Sequence, residues 1–287
     1  MTMVVARHES AGGDVDSAVR KLGEYLSFCL ERVGSQPLGA SRVMNTAVII
    51  AETHIIADPK ADRIESWDAL LTAMQASSAL FAAAGLAEGA VECRIAGDVR
   101  RIPAGNSKRE AHAANWLTAF WLAIVCRETE RLDALAALPV ESLRNPAAVY
   151  DEYIYLWVEA LQAYWKKEPQ QAEKLAAAIE ESDPEVARIA SKDYLVRVAH
   201  PPMEMMYQFL KGDQAAFTSS LVRALEMHRE YWTSDHEQSI SSTGFLALAP
   251  LAVACMAFDS GMQIEVESGY LPENLLDRSW IGEYETT

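Results

Sequence analysis

The chain has 287 residues, half of them hydrophobic, with 25 Lys+Arg against 41 Asp+Glu and a formal net charge of -16. That length can bury a sizeable core, and so strong a negative balance disfavours nucleic acid and anionic lipid as partners. Gly and Pro are scarce, at 14 and 11, which favours helix.

Asp14 or Asp16 can cap a first helix that runs to about Val33, with Val19, Leu22, Leu26 and Leu30 on one face. Residues 1–13 contain no long apolar run, so neither a signal peptide nor an ordered element is expected there, and the segment is read as flexible. A second helix spans about 42–57. Ser66 then precedes "WDALLTAMQASSALFAAAGLA", apolar on nearly all sides and therefore expected to be buried. In "AVECRIAGDVRRIPAG", Val91, Cys93 and Ile95 alternate, and Gly97-Asp98 can turn. A small hairpin is predicted over 91–102. Its arginines, Arg94, Arg100 and Arg101, suit an anionic partner or an internal network with nearby acids.

The second half echoes itself. "FWLAIVCRETERLDALAAL", "EALQAYWKKEPQQAEKLAAAI" and "MYQFLKGDQAAFTSSLVRAL" each read as a helix, a tight charged turn and an Ala/Leu helix. The last apolar residue before each turn falls at Cys126, Trp165 and Leu210. "LALAPLAVACMAF" repeats the first helix with Phe258 in that column. Its second helix is replaced by "GMQIEVESGYLP", strand-like over 263–267, which reads as a cap with Ile264 and Val266 facing in. The predicted fold is all-α, an array of αα-hairpins forming a single domain over 1–287.

No nucleotide-binding, zinc-protease or nucleophile-elbow spacing occurs, so no catalytic, metal-binding or cofactor-binding residue is assigned. "EMHREYWTSDHE" gathers Glu226, His228, Asp235, His236 and Glu237; a polar helix end explains them more simply than a metal site. Four separated cysteines without C-x-x-C fit a reducing compartment, and the expected location is the cytoplasm. The aromatics of "YDEYIYLWVEALQAYW" suit packing between helical layers, with some available as interface anchors.

Taken together, "WDALLTAMQASSALFAAAGLAEGAVECRIAGDVRRIP", "NWLTAFWLAIVCRE", "YDEYIYLWVEALQAYW", "EESDPEVARIA" and "ALAPLAVACMAFDSGMQIEVESGYLPENLL" resemble the Imm49 family of bacterial immunity proteins from about residue 14 to 283. The resemblance implies an all-helical, non-enzymatic protein that neutralises a cognate toxin, often a nuclease, by binding it in the producing cell. It brings no catalytic residue with it. The expected partner is that toxin, with neither nucleic acid nor membrane; the candidate contacts are Asp151, Glu152 and Tyr153 in one patch and Glu265, Glu267 and Tyr270 in another. A helical-repeat scaffold or adaptor unrelated to toxins is the alternative. The oligomeric state is left open.

Overall fold

The computed structural model describes residues 2–10 and 13–282. A two-residue strand β1 (Met3–Val4) precedes three long helices, α1 (Val15–Glu31), α2 (Gly39–Ala57) and α3 (Ile64–Gly85). A hairpin follows, β2 (Ala90–Ile95) and β3 (Asp98–Pro103). Helix pairs come next: α4 (Ala113–Val125) with α5 (Thr129–Ala136), then α6 (Glu152–Trp165) with α7 (Gln171–Glu181). A one-turn α8 (Lys192–Tyr194) and a π-helical segment (Leu195–Ala199) lead into α9 (His200–Lys211), which pairs with α10 (Gln214–Trp232). The one-turn α11 (His236–Ser239), α12 (Leu248–Asp259), the two-residue β4 (Val266–Glu267) and the one-turn α13 (Glu273–Leu276) complete the described chain.

Three helix pairs and the start of a fourth share one turn. Arg127, Lys167, Gly212 and Gly261 all have positive φ, between 56° and 90°. In each case the next residue's N–H reaches back to a carbonyl five positions earlier: Glu128 to Ala123, Glu168 to Ala163, Asp213 to Gln208 and Met262 to Ala257. This is the Schellman closure, which satisfies carbonyls that a helix end leaves open. The left-handed residues lie one, two, two and three positions past Cys126, Trp165, Leu210 and Phe258. The array is thus the one the sequence echo predicts, with its register set by turn geometry and not by the last apolar residue.

Helix α4 is central, packed against α3, α5, α6 and α12. Trp116 and Phe120 are fully buried there with rings stacked 4.8 Å apart, and the Trp116 indole donates to the Leu135 carbonyl at 3.0 Å, tying α4 to α5. Truncating either ring to alanine would cost about 3–5 kcal/mol. Helix α3 is buried nearly all round, as its Ala-rich pattern demands. Its start differs from expectation. Ser66 lies inside the helix, whose N-cap is Arg63 with no side-chain cap; the Asp58 carboxylate accepts from the Asp62 and Arg63 N–H groups just before the helix and from the Ser66 hydroxyl within it. The hairpin turns on Ala96-Gly97, both with positive φ, so Asp98 already belongs to β3, opposite Ile95. Arg100 spends its guanidinium on the Leu30 and Ile95 carbonyls and on Asp98, an internal network as one of the two readings has it.

The cap is where sequence and structure part most. Residues 1–13 read as flexible, yet Met3–Val4 pairs in parallel with Val266–Glu267, and Val5 is buried. Met3 and Val5 N–H donate to the Glu265 and Glu267 carbonyls at 2.8 and 3.0 Å. An unpaired extended segment leaves its backbone groups unsatisfied; the chain's other end supplies the partner strand. Residues 1, 11 and 12 lie outside the described residues.

Candidate functional site

Tyr270 is fully buried. Its hydroxyl accepts from the His8 N–H at 3.1 Å and lies 2.8 Å from His8 Nδ1. The His228 ring meets the Tyr270 ring edge-on at 5.0 Å, and His228 Nε2 lies 3.0 Å from the Gly244 carbonyl, so that nitrogen carries the proton. Burial pushes His228 down to about 4 and keeps it neutral. Beside it, Glu52 of α2 is buried and accepts from the Ser242 and Thr243 hydroxyls at 2.9 and 3.0 Å. Burial raises Glu52 to about 7, and the two hydroxyl bonds only moderate the rise. Arg7 completes the arrangement. Its guanidinium donates to the Ile55 and Ile56 carbonyls at the end of α2 and lies over the Phe245 ring at 5.2 Å. These groups stitch the first residues, α2, the 3-10 turn Ser242–Phe245 and the cap into one corner. The hydrogen bonds these groups make are internal to the fold, and Tyr270, fully buried, is removed from any contact surface.

Glu265 is half-buried, and Glu267 is exposed and lines a groove of about 620 Å³ together with residues of β1, β4 and Lys60. Lys60 is taken by Glu273 at 2.8 Å. Ile264 is partly buried and Val266 fully so, as expected of a cap.

The other candidate patch is also largely occupied. Asp151 sits at the start of α6, but its carboxylate leaves that helix and accepts from three successive N–H groups, Arg188 at 2.6 Å, Ile189 at 2.9 Å and Ala190 at 2.7 Å. Partial burial alone would raise its pKa; the three donors outweigh that and hold it below the usual carboxylate range. Glu152 takes both ends of the Arg144 guanidinium, which stacks over the Tyr155 ring at 4.0 Å. Tyr153 is buried, as are Tyr155 and Trp157, so the α6 aromatics pack between layers. Asp151 and Tyr153 therefore build the surface beside them without forming it.

His228 is committed to Gly244 while His236 lies exposed in α11, and among the described residues no group of three or more His, Cys, Asp or Glu is placed to hold a metal ion. The four cysteines are free, three of them buried. The stretch Ser242–Asp259 is apolar and long enough by composition to cross a membrane, but 67% of it is buried in the protein, against α4, α9 and α10.

Fold and site together define an acidic, mainly helical protein of stacked αα-hairpins in which Glu52, Asp151, His228 and Tyr270 are bound within the fold. The model of the family described as immunity protein 49, Imm49, matches residues 58–275, more than two thirds of the sequence, and the chain belongs to this family. No curated protein and no solved structure matches it.

Proposed function

We propose that this immunity protein binds a cognate toxin of the nuclease type and neutralises it by occlusion, in the cytoplasm of the cell that makes both, without catalysis. Membership of the Imm49 family carries the reading. The charge of -16 supports the nuclease assignment. A nuclease must present a basic cleft to a polyanion, and an acidic protein is steered onto such a cleft and covers it. Asp, Glu and His groups held in structural bonds, as at Glu52, Asp151 and His228, are consistent with a protein that works through its surface.

The test is co-expression with each toxin-like domain encoded in the same genome. Rescue of growth together with a stable purified complex is expected, and the association rate should fall as salt rises. A complex indifferent to salt would reduce the acidic surface to an aid to solubility. Absence of both rescue and complex across the set would overturn the function.

A further inference from the structure

Residues 3–8 lie across the protein as a strap. Met3 and Val5 bond the Glu265 and Glu267 carbonyls, Arg7 bonds the last carbonyls of α2, and the Arg229 guanidinium of α10 donates to the Ala6 carbonyl at 3.2 Å. Yet little of the strap belongs to the core. Val5 is buried, while Met3 is 40% exposed and Val4 72%. A peripheral segment with few buried contacts opens more readily than the fold it lies on.

The last fastening depends on a proton. The Tyr270 hydroxyl accepts from the His8 N–H, so its own single proton is directed at His8 Nδ1, 2.8 Å away. Among the described residues that hydroxyl has no other partner. His8 is therefore neutral in the docked strap, with its ring proton on Nε2. A second proton would land on Nδ1 and turn that nitrogen into a donor. The Tyr270 hydroxyl would then only accept, and its proton would have no acceptor inside a fully buried site, which is costly.

The charges around His8 act in the same sense. Arg7 precedes it on the strap, and Arg229 and His228 come from α10, His228 staying neutral down to about 4. The Phe245 ring lies 4.2 Å from the His8 ring but already carries Arg7 over it at 5.2 Å. The one-turn α11 contributes only the Ser239 backbone. From α2, His54 lies among Glu65, Asp58 and Arg63, and Glu52 loses its charge as pH falls through about 7, so it offers no counter-ion in acid. Burial, and after it Arg7, hold the His8 pKa below its ordinary 6.5, and the Ser239 backbone only moderates this. A histidine held down in this way contributes to docking fully above 6.5, and the contribution is lost as pH falls below that value.

We infer that residues 3–8 are an acid-released strap: His8 fastens the segment to Tyr270 while neutral, and its protonation lifts the segment from the cap while the helical array stays folded. Release frees the Glu265 and Glu267 carbonyls and leaves β4 with an open edge, a template for pairing with another chain.

Amide exchange followed by NMR on the full chain at pH 7.5 and pH 5, each rate corrected for its intrinsic value, tests the strap. The Met3, Val5 and His8 N–H groups report its opening, and the Phe120 N–H of α4 reports the array. The free strap takes up its proton at an ordinary 6.5, which caps the rise in its opening constant at pH 5 at about 30-fold. A rise of roughly 10-fold at all three strap amides is expected, with none at Phe120. His8→Gln offers an acceptor to the hydroxyl without titrating, so its strap should change by less than about twofold. Glu52→Gln, which silences the other group of this corner that titrates in the window, should keep the full rise. A wild-type strap indifferent to pH, an equal rise in His8→Gln, loss of the rise in Glu52→Gln, or a rise shared with Phe120 would each overturn the device. If the His8→Gln strap is already open at pH 7.5, the wild-type ring decides: its NMR titration should have a midpoint below 6.5, and a midpoint at or above 6.5 would overturn the assignment.

Discussion

Replacing Glu52 with Gln tests the reading of the buried corner most sharply. The carboxyl moves from its ordinary 4.5 to about 7 because folding strips it of water, with only the Ser242 and Thr243 hydroxyls in exchange. A group whose acid form is favoured by folding takes up a proton as the chain folds between those two values. Stability therefore falls as pH rises from about 4.5 to 7 and stays level above. At 1.36 kcal/mol for each tenfold shift in proton affinity, the charged form costs about 3 kcal/mol above pH 7. Glu52→Gln keeps the volume and an oxygen for the hydroxyls but never ionises. It should match the wild type near pH 4.5 and exceed it by about 3 kcal/mol at pH 8, seen as a rise in Tm of roughly 5–10 °C.

His228 complicates the wild-type curve. Its pKa is lowered from 6.5 to about 4, so its contribution is lost as pH falls through that window, opposite in sign to Glu52. His8, His54, His112 and His200 are lowered by burial as well and act in the same sense as His228, so only the difference between wild type and variant isolates Glu52. Urea unfolding at half-unit pH steps measures it. Parallel curves for the two proteins across pH 4.5–8 would refute the argument, as would a variant less stable than wild type at pH 8.

The other expectations concern the clamps and turns. Asp151→Asn should cost about 1–2 kcal/mol and speed amide exchange at residues 188–190; unchanged exchange there would deny the carboxylate its grip on the loop. Lys167 holds a left-handed conformation without a glycine, so Lys167→Gly should stabilise by about 1 kcal/mol and Gly212→Ala should destabilise by a similar amount, both read by urea titration. Arg127→Gly should instead destabilise, because that guanidinium also holds the Leu275 and Leu276 carbonyls and Asp259. Arg7→Ala should cost about 2–3 kcal/mol by leaving the last carbonyls of α2 without a donor; a loss below about 0.5 kcal/mol would mean that the N-terminal segment does not hold the corner together.

Much of the array was legible because helix pairs announce themselves locally. An apolar stripe, a charged turn and a second stripe recur, and turn residues such as Gly212 and Gly261 mark where a helix must reverse. The extended 263–267 segment stood out for the same reason, since its alternation breaks a helical pattern. The candidate contacts fared differently. Asp151 and Glu152 look like simple helix-start acids in sequence, yet one binds a loop near residue 189 and the other an arginine eight positions back. Tyr270 sits among acids in a polar stretch, which gives no sign that it is buried under His8 and His228.

The sequence by itself determined what depends on neighbours along the chain: helix content, the repeated hairpin, the β2–β3 turn to within a residue, and the burial of α3. These follow from backbone geometry and from periods of 3.6 and 2. Tertiary structure alone decided what depends on residues far apart. It paired Met3–Val4 with Val266–Glu267, enclosed Glu52 and His228 so that burial reset their proton affinities, and turned Asp151 from a helix-start acid into the clamp of residues 188–190. Desolvation and long-range hydrogen bonding have no period to read, so they become visible only once the chain has closed on itself.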